Sequence, residues 1–188
     1  MEFVAIDFET ANKQYDSACS LAAVTVQGND IVREAYSLIR PPVMDFAPGN
    51  IQIHQITPEM VAAKPTFDQL WDRVYAHLEG KIVVAHFALF DIRVLRTTLT
   101  TYHIPWPSLK YACTVDISRK VWPELPNHKL NTMGEFLGCE FQHHQALDDA
   151  RVCAKIVQAA ADKTGAKSME ELMDMLGLTL KSFRGGRK

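Results

Sequence analysis

The spacing of apolar and polar residues changes period several times along the chain. Residues 3–9, 19–27 and 31–40 have the alternating or continuously apolar character of strands, and Gly28-Asn29-Asp30 supplies hairpin turn chemistry between the second and third. Three antiparallel strands therefore open the chain. Past a loop containing Pro41-Pro42 and Pro48-Gly49, the period becomes helical. Thr66-Phe67-Asp68-Gln69 reads as a capping box, with Gly80 as the stop. The run Ile82-Val83-Val84-Ala85 suits a short strand buried on both faces. A helix starting near Leu89 places Leu95, Leu99 and Tyr102 on one stripe and ends before Pro105. Residues 109–115 form another strand, and residues 130–137 and 147–161 are helices stopped by Gly138 and near Gly165. A second capping box, Ser168-Met169-Glu170-Glu171, begins a final helix through Leu172, Met175 and Leu176, which leads into the basic ending Lys181-Ser182-Phe183-Arg184-Gly185-Gly186-Arg187-Lys188. This order predicts an α/β fold with a mixed five-stranded sheet, its three N-terminal strands antiparallel, and helices on both faces. Residues 1–165 read as one domain and residues 166–188 as an appended helix and basic tail, not a second domain.

Composition narrows the function without choosing it. A chain of 188 residues, 47% hydrophobic and 22% charged, buries roughly 70% of its unfolded surface and needs no metal, disulfide or partner to fold. Any metal it carries then serves chemistry. Twenty lysines and arginines against 22 acids give a net charge of −2, which excludes a polybasic protein that grips nucleic acid or membrane by bulk charge. Its amino end carries Glu2, Asp7 and Glu9 and lacks a basic start with a long apolar run, and no stretch approaches the ~20 apolar residues of a membrane span. Cys19, Cys113, Cys139 and Cys153 form no C-x-x-C pair. A reduced, cytoplasmic protein without membrane contact is expected.

Acidic residues stand where a fold has no use for them. In a strand, Asp7 and Glu9 project from the same face, and like charges there repel unless a cation lies between them. Hard divalent ions such as Mg2+ or Mn2+ prefer such oxygen donors. The alternative is a strand ending at Ile6, with both acids in a solvated loop. Asp91 follows the buried-strand pattern at the start of a helix, where it either complements the macrodipole or joins a site at the carboxyl ends of the strands. Its stripe, with Val94, Leu95 and Thr98, turns it toward the sheet.

Two histidine–aspartate pairs share one spacing, His143 with Asp148 and His144 with Asp149. Asp148 falls with Arg151 and Lys155 on a polar stripe, whereas Asp149 falls with Val152, Cys153, Ile156 and Ala160 on the apolar one. A carboxylate on the buried face needs a partner, and a metal would provide it. Five residues of helix turn through ~500°, so His144 precedes the helix on a loop. A histidine so placed titrates near neutral pH, as a general base requires; the bland alternative is an ordinary surface histidine.

Together these residues resemble the histidine-containing branch of the DEDD exonuclease superfamily, typified by the exonuclease domain of the DNA polymerase III epsilon subunit. Asp7-Phe8-Glu9-Thr10 is similar to its first motif, Ala85-His86-Phe87-Ala88-Leu89-Phe90-Asp91 to its second, and His144 through Asp149 and Ala150 to its third. Cys113-Thr114, Lys129-Leu130 and Gly138 look like the spacer into the third motif. The likeness spans residues 1–163 and departs at two positions. Phe87 stands where the family usually has asparagine, and Gln55, in Ile53-His54-Gln55-Ile56-Thr57-Pro58-Glu59-Met60, where it usually has glycine.

The resemblance implies an RNase H-like fold and 3′→5′ release of nucleoside 5′-monophosphates from single-stranded or frayed DNA ends, with two divalent ions, Mg2+ or Mn2+, as cofactors. By the same likeness Asp7, Glu9, Asp91 and Asp149 hold the ions. Asp7 bridges both, Glu9 also contacts the terminal 3′-hydroxyl, Asp91 acts largely through waters, and His144 takes a proton from the attacking water. Phe8, Thr10, Phe90 and His54 are the implied substrate contacts. The implied partners are the 3′ end of DNA, with RNA as the alternative, and a DNA polymerase or a replication or repair complex. The rival enzyme is an RNA 3′-end trimming exoribonuclease, and the rival outside enzymology is a polymerase-associated binding subunit without activity.

Overall fold

The computed structural model describes residues 1–184. A six-stranded sheet in the order β3-β2-β1-β4-β5-β6 runs through the molecule. The first three strands, β1 (Glu2–Thr10), β2 (Ala18–Gln27) and β3 (Asp30–Leu38), form the expected antiparallel meander. Two strands parallel to β1 follow, β4 (Ile82–Ala85) beside it and β5 (Leu109–Cys113) beyond, all four residues of β4 being buried as its unbroken apolar run requires.

Helices cover both faces, divided by the alternation of side chains along β1. Val4, Ile6 and Phe8 point into one core with Phe67, Leu70 and Leu78 of α3 (Phe67–Leu78) and Ile92, Leu95 and Leu99 of α4 (Leu89–Thr101). Phe3 and Ala5 point into the other, filled by α5 (Thr114–Val121), α6 (Leu130–Phe136), α7 (Ala146–Thr164) and α8 (Met169–Met175). Two short helices, α1 (Pro48–His54) and α2 (Pro58–Val61), lie in the loop after β3. The Thr66 box forms, with Gln69 Oε1 accepting the Thr66 N–H at 3.0 Å. At α8, Ser168 Oγ caps Glu171 N at 3.1 Å, but the Glu171 carboxylate reaches back to Lys167 N, one residue beyond an ordinary box.

The strand count departs from the sequence reading. Residues 181–183 of the basic ending form β6 (Lys181–Phe183), which pairs antiparallel with β5 and closes that edge of the sheet. Phe183 is what holds it: the ring is fully buried, 5.8 Å from the Trp106 ring, with the Arg96 guanidinium 5.5 Å above it. Residues 185–188 of that ending lie outside the described residues. Among the described residues no helix is long and apolar enough to cross a membrane.

Candidate active site

β1 continues to Thr10, so Asp7 and Glu9 are strand residues, opposite Ala22 and Ser20 of β2, and the loop alternative falls away. Both side chains project toward the α7 layer. There Asp149, in the first turn of α7 and 3% exposed, completes a cluster in which Asp7, Glu9 and Asp149 each bring a carboxylate oxygen within 4.8 Å of the others. Asp91 arrives from the opposite layer, buried in the first turn of α4, where its Oδ1 accepts the Phe8 N–H at 3.0 Å. The carboxyl ends of the parallel strands β1 and β4 thus collect four acids from three elements.

Nothing of opposite fixed charge offsets them: among the described residues no lysine or arginine pairs with any of the four. Burial, then Asp91, Asp149 and Glu9, hold the Asp7 carboxyl well above the usual range. Burial, with Asp149 and Asp91, pushes Glu9 to about 8. Asp91 also rises to about 8, chiefly through burial, although the Phe8 N–H and its own N–H favour its charged form. Carboxyls that burial and one another's charge hold back from ionising form an all-oxygen donor set, and such a set fits a hard divalent ion.

Both histidines reach Asp149. His143 pairs with Asp149, not Asp148: its Nδ1–H donates to both Asp149 oxygens, at 3.0 and 3.2 Å. His144 donates its backbone N–H to Asp149 Oδ2 at 3.0 Å and stacks its ring on His143 with centroids 3.8 Å apart. Asp148 is the surface acid that its stripe indicates, bridged to Arg151 at 2.9 Å. His144 does precede α7, in a left-handed conformation (φ 69°), and burial together with His143 lowers its pKa. One ring nitrogen of His144 lies within 4.8 Å of a carboxylate oxygen of Asp149. Burial raises Asp149, while the bonds from His143 and His144 oppose the rise.

The acids and His144 line a cleft of about 520 Å³. Exposed Ile53, Phe87 and Phe90 form its apolar rim, Phe90 lying edge-on to Tyr15 at 6.1 Å. Thr10, Phe90, Phe8 and His54, the expected substrate contacts, all line the cleft, the last two in ways the fold restricts. The Phe8 side chain is 2% exposed and packs against Phe67, because alternation turns it into the core between the two acids; only its backbone serves the site. His54 spends both nitrogens on backbone, Nδ1 accepting from Ile56 N and Nε2–H donating to Thr10 O at 3.1 Å, so it supports the Thr10 segment. Asn50 donates to the same carbonyl at 2.8 Å.

Sequence reasoning left three residues without a task. Lys129 lines the cleft, and His143 fixes Asp149. His86 donates from Nε2 to the His128 carbonyl at 2.9 Å, and its Nδ1 faces the Thr114 hydroxyl at 2.9 Å. A carbonyl only accepts, so the proton sits on Nε2 and Thr114 donates to Nδ1. Burial keeps this ring neutral, with a pKa of about 4. Both departures from the family motifs, Gln55 (φ 62°) and Phe87 (φ 57°), fall on left-handed backbone, which explains why glycine and asparagine are usual there.

Residues 4–157 match the RNase T exonuclease family. The chain is 33% identical over 192 residues to a PolC-type DNA polymerase III of Thermotoga maritima, covering 96% of this chain and 14% of that polymerase. It therefore spans about one seventh of this curated relative. A structure of exonuclease X in complex with 5′ overhanging duplex DNA superposes with a TM-score of 0.74 at 27% identity, covering 93% of this chain and 99% of the other. The nuclease domain of 3′hExo, a DEDDh family member bound to rAMP, shares the fold with a TM-score of 0.73 at 18% identity, over 98% and 97% of the two chains.

Proposed function

The chain belongs to the RNase T exonuclease family, and on that premise we propose that it is a metal-dependent 3′→5′ exonuclease releasing nucleoside 5′-monophosphates from single-stranded or frayed DNA ends. The observation that carries this reading is the convergence of Asp7, Glu9, Asp91 and Asp149 at the carboxyl ends of β1 and β4, beside His144 and, among the described residues, without a lysine or arginine partner.

Asp7, Glu9 and Asp149 would hold divalent ions through carboxylate oxygens, and Asp91, steadied by Phe8 N, would contribute from the other side of the sheet. Two such ions, Mg2+ or Mn2+, when bound activate a water and neutralise charge on the phosphate and the departing oxygen. His144 accepts the proton of the attacking water, and lowered basicity keeps it free to do so at neutral pH. His143 orients Asp149. Thr10, its carbonyl tied to Asn50 and His54, and the Phe90 ring flank the terminal nucleotide. The DNA polymerase relative and the DNA-bound exonuclease X support DNA as the substrate, and the polymerase relative supports an association with replication or repair.

Digestion of labelled single-stranded DNA and RNA of one sequence, with Mn2+ and with chelator, tests the reading. Metal-dependent monophosphate release, faster on DNA and abolished by Asp7→Asn, is expected. Preferential RNA digestion would transfer the proposal to an RNA-trimming enzyme, and undiminished activity of Asp7→Asn would remove Asp7 as a ligand.

A further inference from the structure

We propose that Phe87 is a stacking platform that passes the substrate strand from the catalytic cleft into a second groove, where the single-stranded segment 5′ of the scissile phosphate lies. The inference rests on the exonuclease reading and adds to it a path for the strand.

Phe87 is the second residue after β4, with φ 57°, a conformation that a bulky side chain adopts only at a cost, and it is 55% exposed. The fold gains little apolar burial from it. Strain combined with exposure at the rim of a site is better accounted for by ligand contact than by packing. The backbone around it is also pinned. His86 anchors to Thr114 and, through the His128 carbonyl, to the loop after α5, so the ring and that loop are held together.

The loop and Phe87 enclose a groove of about 580 Å³ that adjoins the catalytic cleft, and Phe87 and Lys129 line both. Arg119, Asn127 and His128 supply polar walls, while Pro123, Leu125 and Pro126 supply apolar ones. Lys129 is the one lysine or arginine lining the cleft among the described residues, and it stands on the side shared with the groove. Arg119 and Lys129 are exposed, and neither forms an ion pair among the described residues. An aromatic face offered to bases, followed by two unpaired cations offered to phosphates, is the chemistry that holds single-stranded nucleic acid without reading its sequence.

Two substrates separate the groove from the cleft. The p-nitrophenyl ester of thymidine 5′-monophosphate fills only the terminal position, whereas an oligodeoxythymidylate of about ten nucleotides would reach the groove. Phe87→Asn relieves the backbone, since asparagine tolerates positive φ, so its melting temperature is expected to rise or hold. Its kcat/KM on the oligonucleotide should fall about tenfold more than on the ester, mainly through KM, with Phe87→Tyr restoring it. Arg119→Ala should reduce the slope of log(kcat/KM) against log salt by roughly 0.7 on the oligonucleotide only. Equal losses on both substrates in Phe87→Asn, or an unchanged salt slope in Arg119→Ala, would overturn the groove. A wild-type protein inert on both substrates would instead sink the exonuclease reading. Fluorescence anisotropy with the labelled oligonucleotide in Ca2+ then still decides the groove: binding about tenfold weaker in Phe87→Asn supports it, and equal or absent binding refutes it.

Discussion

The backbone N–H of Phe8 donates to Oδ1 of Asp91 across 3.0 Å, joining the strand that carries Asp7 and Glu9 to the helix that carries the third acid. The bond ties the sheet to the α4 layer, while Asp7 and Glu9 face α7 on the other side. It explains how a buried carboxylate is tolerated at the start of α4, and it makes the site a structural junction as well as a chemical one.

Asp91→Asn and Asp91→Ala should therefore separate charge from support. Asparagine keeps an oxygen for Phe8 N and removes a carboxyl that burial and Asp149 press toward neutrality, so the metal-free protein should melt no lower than wild type. Alanine strands the Phe8 N–H in a buried place, at a cost of about 1–3 kcal/mol. Both variants should lose nucleotide release. Thermal denaturation with chelator checks the order, and an alanine variant as stable as the asparagine one would contradict it.

His143 and His144 lie against the same aspartate with different tasks. His144→Ala should lower turnover by about a hundredfold or more while Mn2+ still raises the melting temperature. His143→Ala removes a bond that a cation replaces, so its turnover should stay within about tenfold of wild type. Single-turnover rates at saturating Mn2+ decide between them, and the opposite ranking would exchange their roles.

His86 gives a signed dependence of stability on pH. Its folded pKa of about 4 lies below the ordinary value of 6.5, so the unfolded chain takes up the proton first as pH falls. The contribution is complete above pH 6.5 and is lost as pH falls through 4; the shift corresponds to about 3 kcal/mol. Glutamine at this position can still donate to the His128 carbonyl but does not titrate. Urea denaturation should show the gap between wild type and His86→Gln narrowing over that window, whereas a constant gap would refute the assignment.

Phe183 locks the edge strand β6 through full burial against Trp106 and Arg96. Phe183→Ala should cost about 3 kcal/mol in urea denaturation. Nucleotide release below the melting transition should persist, because β5 and β4 separate β6 from β1. A loss of activity in the folded variant would tie this edge to the site.

Much of the site is legible in the sequence because it breaks local rules. Acids at alternate positions of β1 and an acid on the apolar stripe of α7 have no packing explanation, and both are metal-site candidates before any fold is known. The meander, β4 and the long helices are legible for the complementary reason: their period, turns and caps agree. What escapes is short or backbone-determined. β6 has three residues, too few to establish a period, and is held by one phenylalanine. Likewise α1, α2 and α5 are brief helices that open at Pro48, at Pro58 and directly out of β5. The left-handed conformations of Phe87 and His144 belong to residue types that seldom adopt them, so neither the rim of the cleft nor the pairing of His143 with Asp149 follows from residue spacing.

Polarity of digestion tests the central claim most directly. With Mn2+, a 3′-labelled single strand should release its label at once as a nucleoside 5′-monophosphate, and a 5′-labelled strand should shorten stepwise from its far end. Chelator should stop both. Internal fragments, release beginning at the 5′ end, or no metal-dependent release at all would contradict the account.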